Sequence, residues 1–413
     1  MADRYFLGID CGTSGMRAVV IDDDGRIVFD AKENLPASRL HDDGRVTQDP
    51  HDWEKALPRL LDALPAVDAL AVDGTSGTLL LTDEAGEPLG PARMYDDRGS
   101  AAHAGRIGKV APPECGAHGA ASPLARLLDA QREYPRAARA MFQADWLAMK
   151  LGAPPGISDE NNVLKLGYDP VRREWPSWMD DLGVRRDLLP RVAAPGAVIS
   201  SGPGKPMILA GTTDGCASFL ATGADQVGDA VTALGSTLTL KLMSDKPVFA
   251  PELGVYSHRM GDRWLAGGAS NSGGKALLRF FTAPEMEKLS GQLHPGRPTG
   301  MCWHPLAGTG ERFPVQDDAL TFEPADRPAD DAMFLQALFE GIADVEARGY
   351  EALRSHGAPA LRSLRTVGGG AGNRAWQTIR ENRLGIGMTE ALSVEAAYGT
   401  ARLARQGYHD ATR

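Results

Sequence analysis

No stretch of this chain is apolar for long enough to span a bilayer. The first residues, MADRYFLGID, lack the basic start and apolar core of a secretion signal, so the expectation is a cytoplasmic protein with no membrane partner. Basic residues are in deficit: 44 Lys and Arg stand against 54 Asp and Glu, for a formal net charge of −10. That deficit argues against a nucleic acid as partner, which would ask for a basic face. It leaves room for one anionic nucleotide, because backbone N–H groups and a metal can neutralise it locally. Cysteine is scarce, at four residues (Cys11, Cys115, Cys216, Cys302), and no C-x-x-C pair occurs. Zinc and a disulfide framework are therefore poor explanations of the chain. Cys11 and Cys216 stand one or two residues from aspartates of interest and read as small buried side chains.

Common nucleotide signatures are missing too. No G-x-G-x-x-G follows a strand with an acidic residue beyond it, which argues against a dinucleotide site. No H-R-D or D-F-G stands in a suitable context. GGASNSGGKA (267–276) approaches a P-loop, but Ala269 stands where the first glycine belongs and Ala276 where Ser or Thr belongs.

What is present is an ordinary globular composition, 43% hydrophobic and 24% charged, on 413 residues. That length exceeds one core and predicts two domains, with three open. RYFLGID (4–10), MRAVVID (16–22) and RIVFDAKE (26–33) alternate as strands of an antiparallel meander, with DDDG (22–25) turning between the last two. A strand follows at 70–75 and a hairpin at 78–86, then helices over 122–132, 135–141 and 143–151. The Gly/Pro cluster at 195–206 reads as a linker. Beyond it the plan repeats: strand and turn in MILAGTTDGCASFLATG, strands in 229–244, a hairpin in 254–268, and helices over 331–354, 374–383 and 394–406.

Four turns stand out. IDCGTSG places Asp10, then Gly12, Thr13, Ser14 and Gly15, after a strand; a turn explains the glycines but not the carboxylate and hydroxyls. GTTDGCAS (211–218) puts Asp214 at a strand end and a helix start, where it also reads as a plain cap. LGSTLT (234–239) holds Gly235, Ser236 and Thr237 in what is otherwise a hairpin. VGGGAGN (367–373) lets backbone approach a ligand closely before a helix, and equally reads as a flexible turn. Together they suit phosphoryl transfer, which needs N–H and hydroxyl donors on phosphates, a carboxylate near Mg²⁺, and a base.

In this order the turns resemble the phosphate, catalytic and adenosine motifs of the actin-like ATPase fold. From IDCGTSG to EAAYGTARLA the chain resembles the FGGY carbohydrate kinases, and EGIADVEARGYEAL (340–353) is similar to that family's C-terminal helix motif. DGTSGTLLL, MYDDRGSA, SDENNVLKLGYD and GGASNSGG look like those of the short D-ribulose kinases, a xylulose kinase-like subgroup.

The resemblance implies an α/β fold of two actin-like (ribonuclease H-like) lobes. Each would be a mixed five-stranded sheet flanked by helices, with the active site in the interlobe cleft. Residues 1–205 would bind sugar and phosphate; residues 206–413 would carry the base and the nucleotide. ATP and Mg would be the cofactors. Asp10 would hold the metal and lie beside the sugar, Thr13 and Ser14 would contact phosphate, and Asp214 would be the base on the sugar's terminal hydroxyl. Gly235, Ser236 and Thr237 would cradle phosphates; Gly369, Gly370 and Asn373 would pack on adenosine, with Trp376 at the pocket's edge. Arg17 and Ser76 would touch the sugar. SDENN (158–162) reads as cleft lining or as a surface turn, and Tyr95, Asp96 and Arg98 divide the same way. Trp53 reads as packing. Typical xylulose kinases carry Gln-Met-His-Gly where this chain has Asp73-Gly74-Thr75-Ser76, which favours D-ribulose, giving D-ribulose 5-phosphate. D-Xylulose with the same mechanism, a glycerol or polyol kinase, and a non-kinase actin-like ATPase stay open. A sugar sensor would have no need of the intact Asp10 and Asp214. The expected partners are the sugar and ATP, and a homodimer is left open.

Overall fold

The computed structural model describes residues 4–324 and 326–413. Its chain opens with β1 (Tyr5–Cys11), β2 (Gly15–Asp22) and β3 (Ile27–Asn34), paired antiparallel in that order. Alternation is the cause, since residues two apart share a sheet face. Leu7, Ile9 and Cys11 enter one buried layer and Phe6 another. β4 (Arg39–Leu40) and β5 (Val46–Gln48) begin a second, smaller sheet. Helix α1 (Pro50–Leu60) starts where the Asp49 carboxylate accepts the His51 N–H, with a proline in the first turn. β6 (Ala69–Gly74) is buried at every residue and runs parallel to β1, as befits a strand covered on both faces. The smaller sheet is completed by β7 (Leu79–Thr82) and β8 (Ala92–Arg93) and, after α2 (Ala104–Val110) and α3 (Pro123–Glu133), by β9 (Arg139–Phe142).

Here the structure departs from the helix expected over 135–141. α3 ends before Pro135, and Arg139–Phe142 pairs antiparallel with β7, so tertiary pairing outweighs the helical preference of the alanines. α4 (Gln143–Lys150) follows as expected. β10 (Ile157–Asp159) and β11 (Arg191–Ala193) pair with each other. β12 (Val198–Gly202), β13 (Lys205–Leu209) and β14 (Thr212–Thr213) return to the large sheet, ordered β12-β13-β6-β1-β2-β3 with β14 also on β6. This sheet has seven strands rather than the five expected. α5 (Asp214–Ala221) follows directly.

A second unit holds a five-stranded sheet, β17-β18-β16-β15-β19, which matches the expected strand count. Its strands are β15 (Asp229–Leu234), β16 (Leu238–Ser244), β17 (Tyr256–Met260), β18 (Arg263–Ser270) and, later, β19 (Ser363–Val367). Between them come α6 (Gly274–Leu277), α7 (Ala283–Ser290) and α8 (Asp331–Ser355). α8 buries Phe334, Leu338, Phe339, Ile342 and Val345 in the same core as Leu240 and Leu364 of the sheet. α9 (Arg374–Leu384) starts at Asn373, whose side chain accepts the Trp376 N–H.

The last helix, α10 (Ala396–Thr412), belongs to the first unit. A Cβ on Gly8 would fall 2.1 Å from the Ala397 carbonyl oxygen, and one on Gly399 would fall 1.9 Å from that of Ala217. Only glycine permits these approaches of α10 to β1 and α5. The compact units are thus the residues up to Ala221 with Glu395–Arg413, and Thr222–Val394. The division does not fall near 205, because β13 and β14 both pair with β6. Among the described residues no helix is long and apolar enough to cross a membrane.

Candidate active site

Register builds the acidic half of the site in the first unit. Asp10 stands opposite Arg17 on β2 and opposite Asp73 on β6, and Asp73 in turn stands opposite Thr212 on β14. The chain then passes through Thr213 to Asp214, which opens α5. Asp10 and Asp73 therefore lie side by side on one sheet face. Burial pushes the Asp10 carboxyl up to about 6; a hydrogen bond from Asp73 and the Arg17 charge pull it down, and the Asp214 charge adds to the rise. Asp73 is fully buried, and burial together with the Asp10 charge holds its proton well above the ordinary carboxylate range. Thr400 of α10 donates its hydroxyl proton to Asp73 Oδ2. Asp73 was not among the residues expected at the site. A strand-terminal aspartate carries no signal by itself; its role emerges once the register sets it beside Asp10.

Arg17, expected at the sugar, is ion-paired to Glu395 at the start of α10. Asp214 is half-buried and accepts the Gly215 N–H at 2.7 Å. Burial and the neighbouring acids push the Cys11 thiol well up, which keeps it neutral, and all four cysteines are free. Among the described residues no group of three or more His, Cys, Asp and Glu is placed to cage a metal ion.

The turn between β1 and β2 is closed by the Gly12 N–H on the Gly15 carbonyl at 2.9 Å, leaving Thr13 half-buried and Ser14 exposed. A core link fixes it: Trp53 donates to Gln48 at 2.9 Å, and Gln48 donates to the Thr13 carbonyl at 2.7 Å. Trp53, read as packing, is fully buried and does both. After β6, the turn carrying Ser76 is held from two helices. Gln143 Oε1 accepts the Thr75 N–H at 3.0 Å and the Thr75 hydroxyl at 2.9 Å, and Arg126 donates to the Gly77 carbonyl at 2.8 Å. Ser76 Oγ is buried with no partner among the described residues, as a side chain awaiting a ligand would be.

SDENN is not a surface turn. Ser158 to Asn162 are all buried. Asn161 donates to Thr212 Oγ1 at 3.0 Å and Asn162 to the Thr212 carbonyl at 3.2 Å, so the segment braces the strand that leads to Asp214. Tyr95, Asp96 and Arg98 are exposed, while the intervening Asp97 is buried in a two-pronged pair with Arg93 at 2.5 and 3.0 Å.

In the second unit, Gly235, Ser236, Gly369, Gly370, Asn373 and Trp376 line one cavity of about 740 Å³. Thr237 closes the hairpin by accepting the Gly235 N–H at 3.1 Å but does not line the cavity. Trp376 lies flat on Phe339, ring centroids 4.5 Å apart, and its buried indole N–H has no partner among the described residues. Asn373 spends its amide on neighbours: Oδ1 caps α9, and Nδ2 donates to Ser290 at 2.7 Å. Lys275, Met286 and Phe339 also line the cavity and were not expected; Lys275 lies in the stretch that fails the P-loop pattern, and the segments of Met286 and Phe339 carry no nucleotide pattern.

Residues 5–114 match the FGGY family of carbohydrate kinases, N-terminal domain. The match is to an N-terminal domain and covers the opening strands β1 to β8 and the helices up to α2 of the first unit. A xylulose kinase of Klebsiella pneumoniae is 23% identical over 98% of this chain and 90% of its own length. Among solved structures, a xyloylose kinase from Brucella ovis superposes with a TM-score of 0.85 at 24% identity, covering 98% of this chain and 91% of that one. A Plasmodium falciparum glycerol kinase with ADP reaches a TM-score of 0.84 at 16% identity, over 99% and 90%. These structures share the two-domain α/β fold. The matched N-terminal domain and the full-length relatives indicate an ATP-dependent sugar kinase; the sugar is a separate question.

Proposed function

We propose that this chain is an FGGY-type kinase that phosphorylates the terminal hydroxyl of a pentulose, with D-ribulose as the leading substrate. The observation that carries the reading is the carboxylate row of Asp10 and Asp73 with half-buried Asp214 at the next helix start. Asp214 takes the proton of the sugar hydroxyl. The hydroxyl oxygen attacks the γ-phosphorus, the bond to the ADP oxygen breaks, and ADP and the sugar phosphate leave. Asp73 holds its proton toward Asp10 and so fixes that carboxylate's direction. Thr13, Ser14, Gly235 and Ser236 contact phosphates, Thr237 closes the hairpin that carries the last two, and Gly369, Gly370 and Trp376 form the adenosine wall.

Oxygen donors beside a surplus of acid charge suit a hard cation that uses one or two carboxylates, so Asp10 is the side chain to hold Mg²⁺. Bound there, the ion would neutralise phosphate charge. Ser76, whose buried hydroxyl is unpartnered among the described residues, is a candidate sugar contact, and Asp73-Gly74-Thr75-Ser76 in place of Gln-Met-His-Gly favours D-ribulose as the sugar. A second reading, D-xylulose, is favoured by the name of the Klebsiella relative. The test is ADP release from Mg-ATP with D-ribulose, D-xylulose, L-ribulose, glycerol and no sugar. Release with one pentulose alone supports the proposal and names the substrate. Equal release in every tube overturns it in favour of a plain ATPase.

A further inference from the structure

GGASNSGGKA fails as a P-loop, yet the fold brings its lysine to the nucleotide cavity. β18 pairs with β16 as far as Leu238↔Ser270, so the strand ends beside the Gly235–Thr237 hairpin. Two glycines then let the chain touch that hairpin. Gly273 has φ +139°, and a Cβ there would sit 2.7 Å from the Thr237 carbonyl carbon. A Cβ on Gly274 would sit 2.8 Å from the Gly235 oxygen. In this contact the Gly274 N–H bonds the Gly235 carbonyl at 2.9 Å and the Lys275 N–H bonds the Ser236 carbonyl at 3.1 Å. The lysine backbone is thereby fixed one hydrogen bond from Ser236.

Lys275 is exposed, lines the cavity, and makes no ion pair among the described residues. The single acid on the cavity wall among them, Glu287, makes none either. A free ammonium on a flexible stem, anchored at its backbone beside a glycine hairpin, is suited to a phosphate oxygen. A merely solvated lysine would not need Gly273 and Gly274 to draw it so close. We infer that Lys275 is a phosphate ligand of the bound nucleotide, acting with the Gly235–Ser236 hairpin. This rests on the reading of the cavity as the nucleotide site.

The test compares adenosine, ADP and ATP binding by calorimetry to wild type, Lys275→Ala and Lys275→Arg. Lys275→Ala should weaken ADP and ATP by roughly 5- to 30-fold, as expected for a partly exposed charge-assisted contact. It should leave adenosine within about twofold, and high salt should shrink the difference. Lys275→Arg should recover most of the loss. Unchanged ADP and ATP affinity in Lys275→Ala overturns the inference, as does equal weakening of adenosine, which would mark a structural effect. Wild type that binds none of the three removes the nucleotide reading of the cavity, and the inference falls with it.

Discussion

Valine at position 370 would add a branched side chain to a wall with no slack. A Cβ at Gly370 would lie 2.8 Å from Trp376 Cζ3, 2.9 Å from Leu234 Cβ and 3.2 Å from Leu234 Cδ1. Carbon atoms pack at about 3.5–4.0 Å, so Trp376 and Leu234 must each give way by roughly 0.6–1 Å. Trp376 has little room, being 3% exposed and stacked on Phe339. Overpacking of this kind costs about 1–3 kcal/mol. The two γ-methyls of valine add to the crowding, and the displaced indole forms part of the cavity wall. If half of that strain is felt by the bound nucleotide, ATP affinity falls by roughly 2- to 13-fold. Gly370→Ala adds the Cβ alone and should lie between wild type and valine. The assay is calorimetric titration with ATP and with adenosine, beside a melting curve that reports stability separately. Wild-type ATP and adenosine affinity in a folded Gly370→Val protein would refute the reasoning and remove this turn from the nucleotide site.

Two further outcomes follow from the first unit. The Asp10 carboxyl is raised to about 6, so its ionisation opposes folding; this contribution is most favourable below the unfolded value near 4 and is lost as pH rises through about 6. Asp10→Asn should therefore flatten the fall in unfolding free energy between pH 5 and pH 8 by about 1.4 kcal/mol while abolishing turnover, and an unchanged pH slope would count against the buried acid pair. Asn162→Ala removes a donor from the buried Asp159 carboxylate and from the Thr212 carbonyl, and should cost about 1–3 kcal/mol in denaturant titrations; a loss below about 0.5 kcal/mol would deny the segment its bracing role.

Much of the local structure was legible because its causes are local. Alternation in RYFLGID and MRAVVID placed β1 and β2, and the glycine turns after strands marked out Asp10, Asp214, the 235–237 hairpin and the 369–370 wall. The rest depended on pairing across long stretches of chain. Asp73 gains its meaning from a strand sixty-three residues before it in the chain, through the Asp10↔Asp73 register. SDENN looks like a polar turn until Asn161 and Asn162 find Thr212, some fifty residues on. The unit boundary was missed because α10 returns to β1 through Gly8 and Gly399, contacts that no periodicity encodes. Residues 135–141 were misread because β7 supplied a partner that alanine-rich sequence does not advertise.

The most direct test of the account is sugar-dependent ADP release by wild type and by Asp214→Asn, run side by side with D-ribulose and D-xylulose. The account predicts release that requires a pentulose in wild type and falls by roughly two to four orders of magnitude in the variant, with ATP binding retained. Near-normal pentulose-dependent turnover by Asp214→Asn would contradict the assignment of the base and, with it, the proposed mechanism.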